Sequence, residues 1–334
     1  MNTEHVDIGL ARYSDWAFTS SVVVLVVALL LLAVELAYSR GRKVESRELV
    51  GAATAATFNA SATVRADSAT PGVVAAEPKR PLDERVGKAG LALVYVGIGL
   101  LLVCIVLRGL ATARVPWGNM YEFINLTCFS GLIAAAVVLR RPQYRALWVF
   151  VLVPVLILLT VSGRWLYTNA APVMPALQSY WLPIHVSVVS IGSGVFLVAG
   201  VASILFLFKM SPLGQPGPES VARRVVARLP AAQTLDRIAY RTTIFAFPVF
   251  GFGVIFGAIW AEEAWGRYWG WDPKETVSFI AWVVYAAYLH ARSTAGWRDK
   301  KAAWINVVGF VAMVFNLFFI NLVTVGLHSY AGVG

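Results

Sequence analysis

The run Trp265-Gly-Arg-Tyr-Trp-Gly-Trp-Asp-Pro-Lys-Glu275 carries four aromatic rings within seven residues, followed directly by an acid, a proline, a lysine and a second acid. Long hydrophobic stretches lie on both sides of it. Tryptophan and tyrosine combine a large apolar body with a polar tip, which suits them to the edge of a membrane. The run therefore predicts a loop between two membrane helices that offers a rigid aromatic surface to a flat apolar ligand.

The composition is typical of polytopic membrane proteins. Of the 334 residues, 58% are hydrophobic and only 14% are charged, whereas a soluble domain needs more charge to cover its surface. The net charge of +10 would suit a nucleic-acid-binding protein, but the basic residues fall in the loops between hydrophobic stretches, where they indicate topology. We therefore expect no nucleic-acid partner.

Eight hydrophobic stretches are long enough to cross about 30 Å of hydrocarbon as helices. They cover residues 17–38, 88–110, 121–139, 145–163, 184–208, 241–260, 276–291 and 304–326. The strands of a membrane barrel would be shorter and would alternate in polarity. The predicted fold class is an all-α polytopic integral membrane protein with about eight transmembrane helices.

The distribution of lysine and arginine predicts the orientation. If residues 39–88 are cytoplasmic, the inner segments hold 22 basic residues and the outer side holds 6. Basic residues concentrate in cytoplasmic loops, so both termini and the aromatic loop are predicted on the outer, periplasmic or extracytoplasmic, side of the plasma membrane. An interfacial belt is the alternative interpretation of the tryptophans, but eight of the twelve fall on the predicted outer side, which is more lopsided than a belt alone requires.

The chain divides into three predicted regions. Residues 1–39 contain an N-terminal transmembrane helix. Residues 40–87, rich in alanine, serine, threonine and charge, form a disordered cytoplasmic linker. Residues 88–334 form a seven-helix domain whose outer loop spans 260–276. Val221–Leu229 is predicted to be a short surface helix within an inner loop.

Two cysteines and three histidines lie in or beside the predicted spans. Cys104 and Cys128 form no CxxC pair, so we expect small buried hydrophobes rather than thiol–disulfide exchange. His185 and His328 fall at outer helix ends, on the side of the aromatic loop, and His290 falls near an inner end. Because two neutral imidazoles make a six-coordinate, b-type-like heme site, we predict that His185 and His328 clamp a heme that rests on the aromatic loop.

The run Trp265-Gly-x-x-Trp269-x-Trp271-Asp272 resembles the tryptophan-rich WWD signature of the heme-handling proteins of cytochrome c biogenesis. Within that superfamily, residues 88–334 most resemble the CcsA (ResC) type of system II. His185 and His328 match the two external histidines of that family, and His290, in Tyr285-Ala-Ala-Tyr-Leu-His290, matches its transmembrane histidine. Pro116-Trp-Gly-Asn-Met-Tyr-Glu122 also resembles a segment of the family.

The resemblance implies a function. The protein would bind heme b transiently, as a substrate, bring it to the outer side and present it for thioether attachment to the CxxCH motif of apocytochrome c. A ResB/Ccs1-type membrane protein would be its partner, and cytochrome c synthase activity is expected only in that complex. A thioredoxin-like thiol reductant would act on the apocytochrome. His290 would meet heme first, with a second axial histidine from the partner.

The candidate site residues follow from the signature and its charged neighbours. The heme-binding loop comprises Trp265, Gly266, Tyr268, Trp269, Gly270, Trp271 and Asp272. Asp272 is expected to fix the loop rather than to touch heme, because an anion would repel the propionates. Cations near the outer surface could pair with those carboxylates, and the candidates are Lys274, Arg267 and Arg164.

Two other functions are open at this point. A heme exporter without ligation activity would also use an inner and an outer site. A b-type electron-transfer subunit would also place histidines in helices, but such subunits usually pair ligands near both membrane surfaces, and the inner surface here has only His290.

Overall fold

The computed structural model describes residues 6–60, 82–173, 175–218, 220–321, 323–324 and 326–328, without the side chains of residues 39–60 and 176. Within these ranges the chain is helical and contains no strand. The predicted all-α fold class is therefore confirmed.

The helices follow one another along the chain. They are α1 (Ile8–Ala60), α2 (Leu82–Thr112), α3 (Met120–Val138), α4 (Leu147–Trp165), α5 (Trp181–Met210), α6 (Val221–Arg228), α7 (Ala232–Trp265), α8 (Pro273–Ser293) and α9 (Lys300–Phe315), which continues as a π-helical turn, Asn316–Ile320. The short helix predicted at Val221–Leu229 is present as α6. Its Ser220 side chain accepts a hydrogen bond from the Arg223 N–H, which is the usual N-cap.

Seven helices are long and apolar enough to cross a membrane, among the residues that the structure describes. The eighth predicted span, 276–291, lies in α8, which is not one of the seven because charged side chains near both of its ends lower its hydropathy. However, α8 is as long as the membrane segment of α9. Its start is hydrogen-bonded to Asn321, just after the π-helical turn, through Lys274, and to His328 in the segment that follows, through Asp272. Its last turn pairs with the start of α7, through Arg292 and Asp236 at 3.0 Å. It therefore runs the full length of the bundle.

Near its start, α1 contacts the end of α2 and the segment after α4, at one end of the bundle. At one end the Asp7 N–H donates to the Ala111 carbonyl at 2.8 Å. Further contacts join α1 to the segment after α4, where the Tyr167 hydroxyl donates to Asp15 at 2.7 Å. Because α1 starts at this end and the chain returns to it after α9, both ends of the described chain lie on the same side of the bundle.

Helices α1 and α2 both extend into the range 40–87 that the sequence assigned to a disordered linker. α1 is helical to Ala60, and α2 begins at Leu82. The alanine, glutamate and arginine content of residues 40–60 favours helix once α1 is nucleated. The remaining linker residues, 61–81, lie outside the described residues.

A buried ion cluster joins α1 and α2 to the segment before α3. The Arg108 Nε donates to Glu122 at 3.1 Å, and both side chains are only 1% exposed. Arg114 pairs with the same carboxylate at 3.0 Å, as does the Gly118 N–H at 2.8 Å. Asp15 lies 3.7 Å from Arg108. Since an unpaired charge in this environment is strongly destabilising, the cluster fixes the position of the segment before α3.

Helices α3 and α5 cross at glycines. A Cβ added at Gly194 of α5 would lie 2.4 Å from the backbone nitrogen of Gly131 and 2.9 Å from the carbonyl oxygen of Thr127. Neither backbone atom can move without moving α3. Small residues of this kind allow membrane helices to approach closely.

We expect Gly194→Ala to destabilise the protein by about 1–3 kcal/mol, because the added methyl group forces the two backbones apart. Gly99→Ala is the matched control, since a Cβ at Gly99 meets no atom within 4 Å. Thermal unfolding in detergent, followed by tryptophan fluorescence, should show a lower Tm only for Gly194→Ala. Equal melting temperatures for the two variants would contradict the close crossing.

Candidate functional site

Two predicted ligands, His185 and His328, lie on the same buried tryptophan. The His185 ring stacks on Trp260 with centroids 5.9 Å apart and planes 14° apart. The His328 ring meets Trp260 edge-on, also with centroids 5.9 Å apart. Trp260 is 1% exposed. Residues that are 143 positions apart in sequence are thus brought together through one indole at the end of α7.

The environment of His185 fixes its tautomer. Its Nδ1 lies 2.8 Å from the carbonyl oxygen of Gly253 in α7. A carbonyl only accepts hydrogen bonds, so Nδ1 carries the proton and Nε2 carries the lone pair. The approach needs glycine at position 257, because a Cβ there would lie 2.6 Å from His185 Cε1.

The environment of His328 fixes the same tautomer. Its Nδ1 lies 2.8 Å from Asp272 Oδ2. Burial would raise the pKa of Asp272, but the hydrogen bonds from His328 and the Leu327 N–H hold it below its usual value, so the group is a carboxylate. Burial lowers the pKa of His328, and the bond to Asp272 only partly offsets this. The ring is therefore neutral at pH 7, with the proton on Nδ1 and the lone pair on Nε2.

Asp272 joins the start of α8 to the segment that contains Leu327 and His328. It is the N-cap of α8 and forms a capping box with Glu275. Its Oδ1 accepts the Leu327 N–H at 2.7 Å, beside the contact to His328. Only 7% of the residue is exposed. Asp272 therefore holds the start of α8 against the segment that contains Leu327 and His328.

The aromatic residues of the loop have different surroundings. Trp265 packs edge-on against Trp260 at 4.8 Å and His328 at 5.3 Å. Tyr268 and Trp269 line a cavity next to the histidines. The Trp269 Nε1 is buried without a hydrogen-bond partner among the described residues. Trp271 is 67% exposed and does not line the cavity.

The loop backbone is held in an unusual conformation. Gly266 ends α7 in the left-handed region, at φ 71°, as a helix C-terminus often requires. Trp271 has φ 58° although it is not glycine, which stores strain of about 1–3 kcal/mol. The Glu275 carboxylate accepts the N–H groups of Gly270 and Asp272 on either side of Trp271, and these bonds maintain the strained turn.

The cavity has a volume of about 390 Å³, and its lining is mostly apolar. This size falls within the range of small-molecule and cofactor sites. His185, His328 and Trp260 line it at one end, and residues from α3, α4, α5, α7 and α9 continue the lining into the bundle. The polar part of the lining includes Lys274, Glu275 and Asn321 beside the two histidines.

The π-helical turn after α9 provides the polar wall of the cavity. The Asn321 side chain donates to the carbonyls of Asn316 and Leu317, which the turn leaves available. The Asn321 Oδ1 accepts from Lys274 Nζ at 2.6 Å. Lys274 Nζ also lies 5.6 Å from the centre of the Phe123 ring. The turn thereby keeps a cation at the cavity wall.

The other predicted residues lie away from this cluster. Arg164 is exposed at the end of α4, and Arg267 folds over Gly270; neither lines the cavity. His290 is exposed on the last turn of α8, at the opposite end of the bundle. The histidine pair and Lys274 therefore share one cavity, whereas the two arginines and His290 do not.

Sequence reasoning did not assign Trp260 to the site. Its position at the end of a hydrophobic span is also typical of an interfacial residue. The spacing of five residues between Trp260 and Trp265 was the available signal. Trp117 was also missed; it lines the cavity and donates to Ser187 at 3.0 Å.

Comparison with known proteins identifies the family. The profile of the cytochrome C assembly protein family matches residues 117–328. The chain is 34% identical over 261 residues to the cytochrome c biogenesis protein CcsA of Guillardia theta, covering 71% of this chain and 85% of that protein. The chain belongs to the cytochrome c assembly protein family. The cytochrome c biogenesis protein CcsA of Gloeobacter violaceus is 32% identical to this chain over 306 residues, covering 77% of this chain and 90% of that protein.

A solved structure confirms the fold of this cytochrome c assembly protein. Cytochrome c Heme Lyase CcmF matches it with a TM-score of 0.61 at 17% identity. The match covers 95% of this chain and 49% of the CcmF chain, so it shows that the helical arrangement is shared. The resemblance based on the WWD signature is confirmed by the family match, which ends at His328.

We expect Asp272→Ala to release the chain end from α8. The variant loses the N-cap, worth about 1 kcal/mol, and the acceptor for Leu327 and His328. Hydrogen–deuterium exchange should be faster in the peptide that contains Leu327, while the core of α5 stays protected. As a control, Glu262→Ala removes an exposed carboxylate at the end of α7 and should leave exchange unchanged. Equal exchange in the two variants would contradict the proposed hold of Asp272 on Leu327 and His328.

Proposed function

We propose that this protein binds heme b at His185 and His328 and presents it, on the outer face of the membrane, for attachment to apocytochrome c. The observation that carries the proposal is the histidine pair. Both rings contact Trp260, and both direct their Nδ1 proton to a fixed acceptor. A metal-binding histidine typically donates its other ring N–H to a carbonyl or carboxylate. Both rings are therefore prepared to give Nε2 to one iron.

The cavity suits the rest of a porphyrin. Its lining is apolar and aromatic, as the faces of the macrocycle require, and Tyr268 and Trp269 bring the loop to it. Lys274 supplies a cation for a propionate. The unpaired Nε1 of Trp269 is a second donor for a carboxylate or a bridging water, since a buried donor without a partner needs an explanation.

The proposed topology places the histidine end of the bundle outside the plasma membrane. The 22-to-6 distribution of basic residues supports this orientation. The bundle agrees with it: with α8, which runs its full length, the described residues contain eight helices that could cross, so that both ends lie on one side. The chemistry then occurs on the side where apocytochrome c arrives.

The reaction would be an addition. Each cysteine thiol of a reduced CxxCH motif adds across one heme vinyl group, so that sulfur bonds to the carbon next to the ring and the proton goes to the terminal carbon. The histidine of the motif replaces one external ligand. Because the two reactants only have to be held in register, positioning provides most of the rate enhancement. A thioredoxin-like reductant keeps the apocytochrome thiols available, and synthase activity requires the ResB/Ccs1-type partner.

His290 has a separate proposed role, at the inner end. It is exposed on α8, so a heme bound there needs a second ligand from outside the described chain. A histidine of the ResB/Ccs1-type partner would supply it. This proposal gives the partner a direct part in heme binding.

We expect His185→Ala and His328→Ala to convert a six-coordinate heme spectrum into a five-coordinate one. The reduced-minus-oxidised visible spectrum of the full chain, reconstituted with heme, measures this change. Added imidazole should restore six-coordination in both variants, because it replaces the missing ligand. His290→Ala should leave the spectrum of this outer site unchanged. A six-coordinate spectrum that stays unchanged in both His185→Ala and His328→Ala would overturn the proposal.

We expect Lys274→Met to weaken heme binding by about tenfold, which corresponds to about 1.4 kcal/mol for one charge-assisted contact. Arg164→Met and Arg267→Met are matched controls that remove a cation outside the cavity lining. Titration of each variant with heme, and with the dimethyl ester that lacks propionate charge, measures the effect. The ester should bind Lys274→Met and the unchanged chain equally. A loss caused equally by all three substitutions would contradict the assignment to Lys274.

Reconstitution distinguishes the proposal from its two rivals. The chain with its ResB/Ccs1-type partner and reduced apocytochrome should yield a thioether-linked product. Heme released to the outer side without thioether formation would favour an exporter. Reduction by a quinol with turnover, in the absence of apocytochrome, would favour a b-type electron-transfer subunit.

A further inference from the structure

The cavity described above is lined at one place by residues that also face the outside of the bundle. Ile157 of α4 is 58% exposed, and Val314 of α9 is 36% exposed, yet both line the cavity. Tyr268 of the outer loop, at 61%, is the other exposed lining residue, and the rest, such as Trp260 and Phe250, are buried or half-buried. In the part of the chain that the structure describes, α4 and α9 share almost no direct contact. The cavity is therefore open sideways between these two helices.

The opening begins near the middle of the bundle and extends toward the histidines. Ile157 is ten residues after Leu147 and eight before Trp165, so it lies near the middle of α4, about 12 Å from its end at about 1.5 Å per residue. Val314 precedes the π-helical turn. Pro154 lies inside α4 and lines the cavity next to Ile157, and a proline removes one backbone hydrogen bond and bends its helix. The opening thus extends from the middle of the bundle toward the end that holds the histidines, which is the outer half of the bilayer in the proposed topology.

The core of the bundle is closed between the cavity and the inner end. Phe196 and Tyr285 are fully buried and stack with centroids 3.6 Å apart. Phe250 meets Phe196 at 5.9 Å. Of α8, only the first two turns reach the cavity, at Lys274, Glu275 and Ser278. No described part of the cavity extends to His290.

The geometry points to lateral loading: heme reaches the outer histidines from the outer leaflet, through the opening between α4 and α9. This inference rests on the proposed function, because it concerns the route of the same ligand. An apolar macrocycle partitions into the hydrocarbon, so a side opening lined by Ile157, Val314 and other apolar side chains offers it a path without exposure to water. The two propionates stay near the surface, at the level of Lys274. Passage through the interior would require the packed aromatic rings to separate.

The test is to narrow the opening without touching the ligands. Ile157→Trp and Val314→Trp, singly and together, should slow heme uptake by about tenfold or more, because narrowing a route acts on its rate. Val153→Trp and Val311→Trp are matched controls on the same helices, since both side chains are exposed but neither lines the cavity. The full chain is placed in lipid nanodiscs and mixed with vesicles of zwitterionic lipid loaded with heme. The appearance of the six-coordinate spectrum gives the rate, and its final amplitude gives the extent of binding.

A covalent closure gives a second measurement that does not depend on how bulky residues pack. The pair Ile157→Cys and Val314→Cys is linked with bis-maleimides of graded length; the native cysteines Cys104 and Cys128 are buried. Linking before heme addition should block uptake, and linking after loading should slow transfer of heme to apomyoglobin. The pair Val153→Cys and Val311→Cys should have neither effect.

The outcomes separate the route from the function. Normal uptake in the tryptophan variants and the linked pair, while His185→Ala loses six-coordination, would overturn lateral loading and leave the proposed function standing. Failure of the unchanged chain to bind heme, even in detergent, would overturn both. Loss of the ResB-type partner from the tryptophan variants, with unchanged uptake by the chain alone, would identify this face as a protein interface and also overturn lateral loading.

Discussion

The site depends on the hydrogen bonds of the Asp272 carboxylate. It caps α8, accepts the Leu327 N–H and holds the Nδ1 proton of His328. Charge-assisted hydrogen bonds are stronger than neutral ones, and their strength rises where water is excluded. One group therefore sets the start of a helix, the position of the chain end and the protonation of a predicted ligand. The acidic residue of the WWD signature thus contacts His328 and the backbone of Leu327.

The second histidine depends on helix packing rather than on charge. His185 meets the Gly253 carbonyl, and α5 approaches α7 closely enough that a Cβ at Gly253 would lie 2.6 Å from Val189 Cγ2. Glycine at 257 leaves room for the imidazole. The two histidines are thus oriented by different physical means, one by a buried anion and the other by close contact of two backbones.

The sequence predicted more of the fold than of the site. Hydrophobic length located the spans, and the segment Val221–Leu229 was recognised as a helix. It also placed His185 and His328 at the same end of the bundle, where they share Trp260. The sequence did not show that Lys274 lines the cavity and that Arg164 does not. Which way a residue at a helix end faces depends on tertiary packing. The sequence also failed to assign Trp260, since a buried indole in an apolar helix follows the same pattern as ordinary core.

The π-helical turn after α9 has a consequence for how this protein tolerates change in length. An α-helix advances about 100° per residue, since it has about 3.6 residues per turn, and a π-helical turn accommodates one additional residue. Deleting one residue from Asn316–Ile320 would restore α geometry and leave the residues that follow, including Asn321 and His328, facing nearly the same way, because a π-helical turn contains about one residue more than an α-helical turn. The same deletion elsewhere in α9 would rotate Asn321 and His328 by about 100° away from Lys274 and Asp272. A one-residue deletion should therefore be tolerated better within this turn than in the rest of α9.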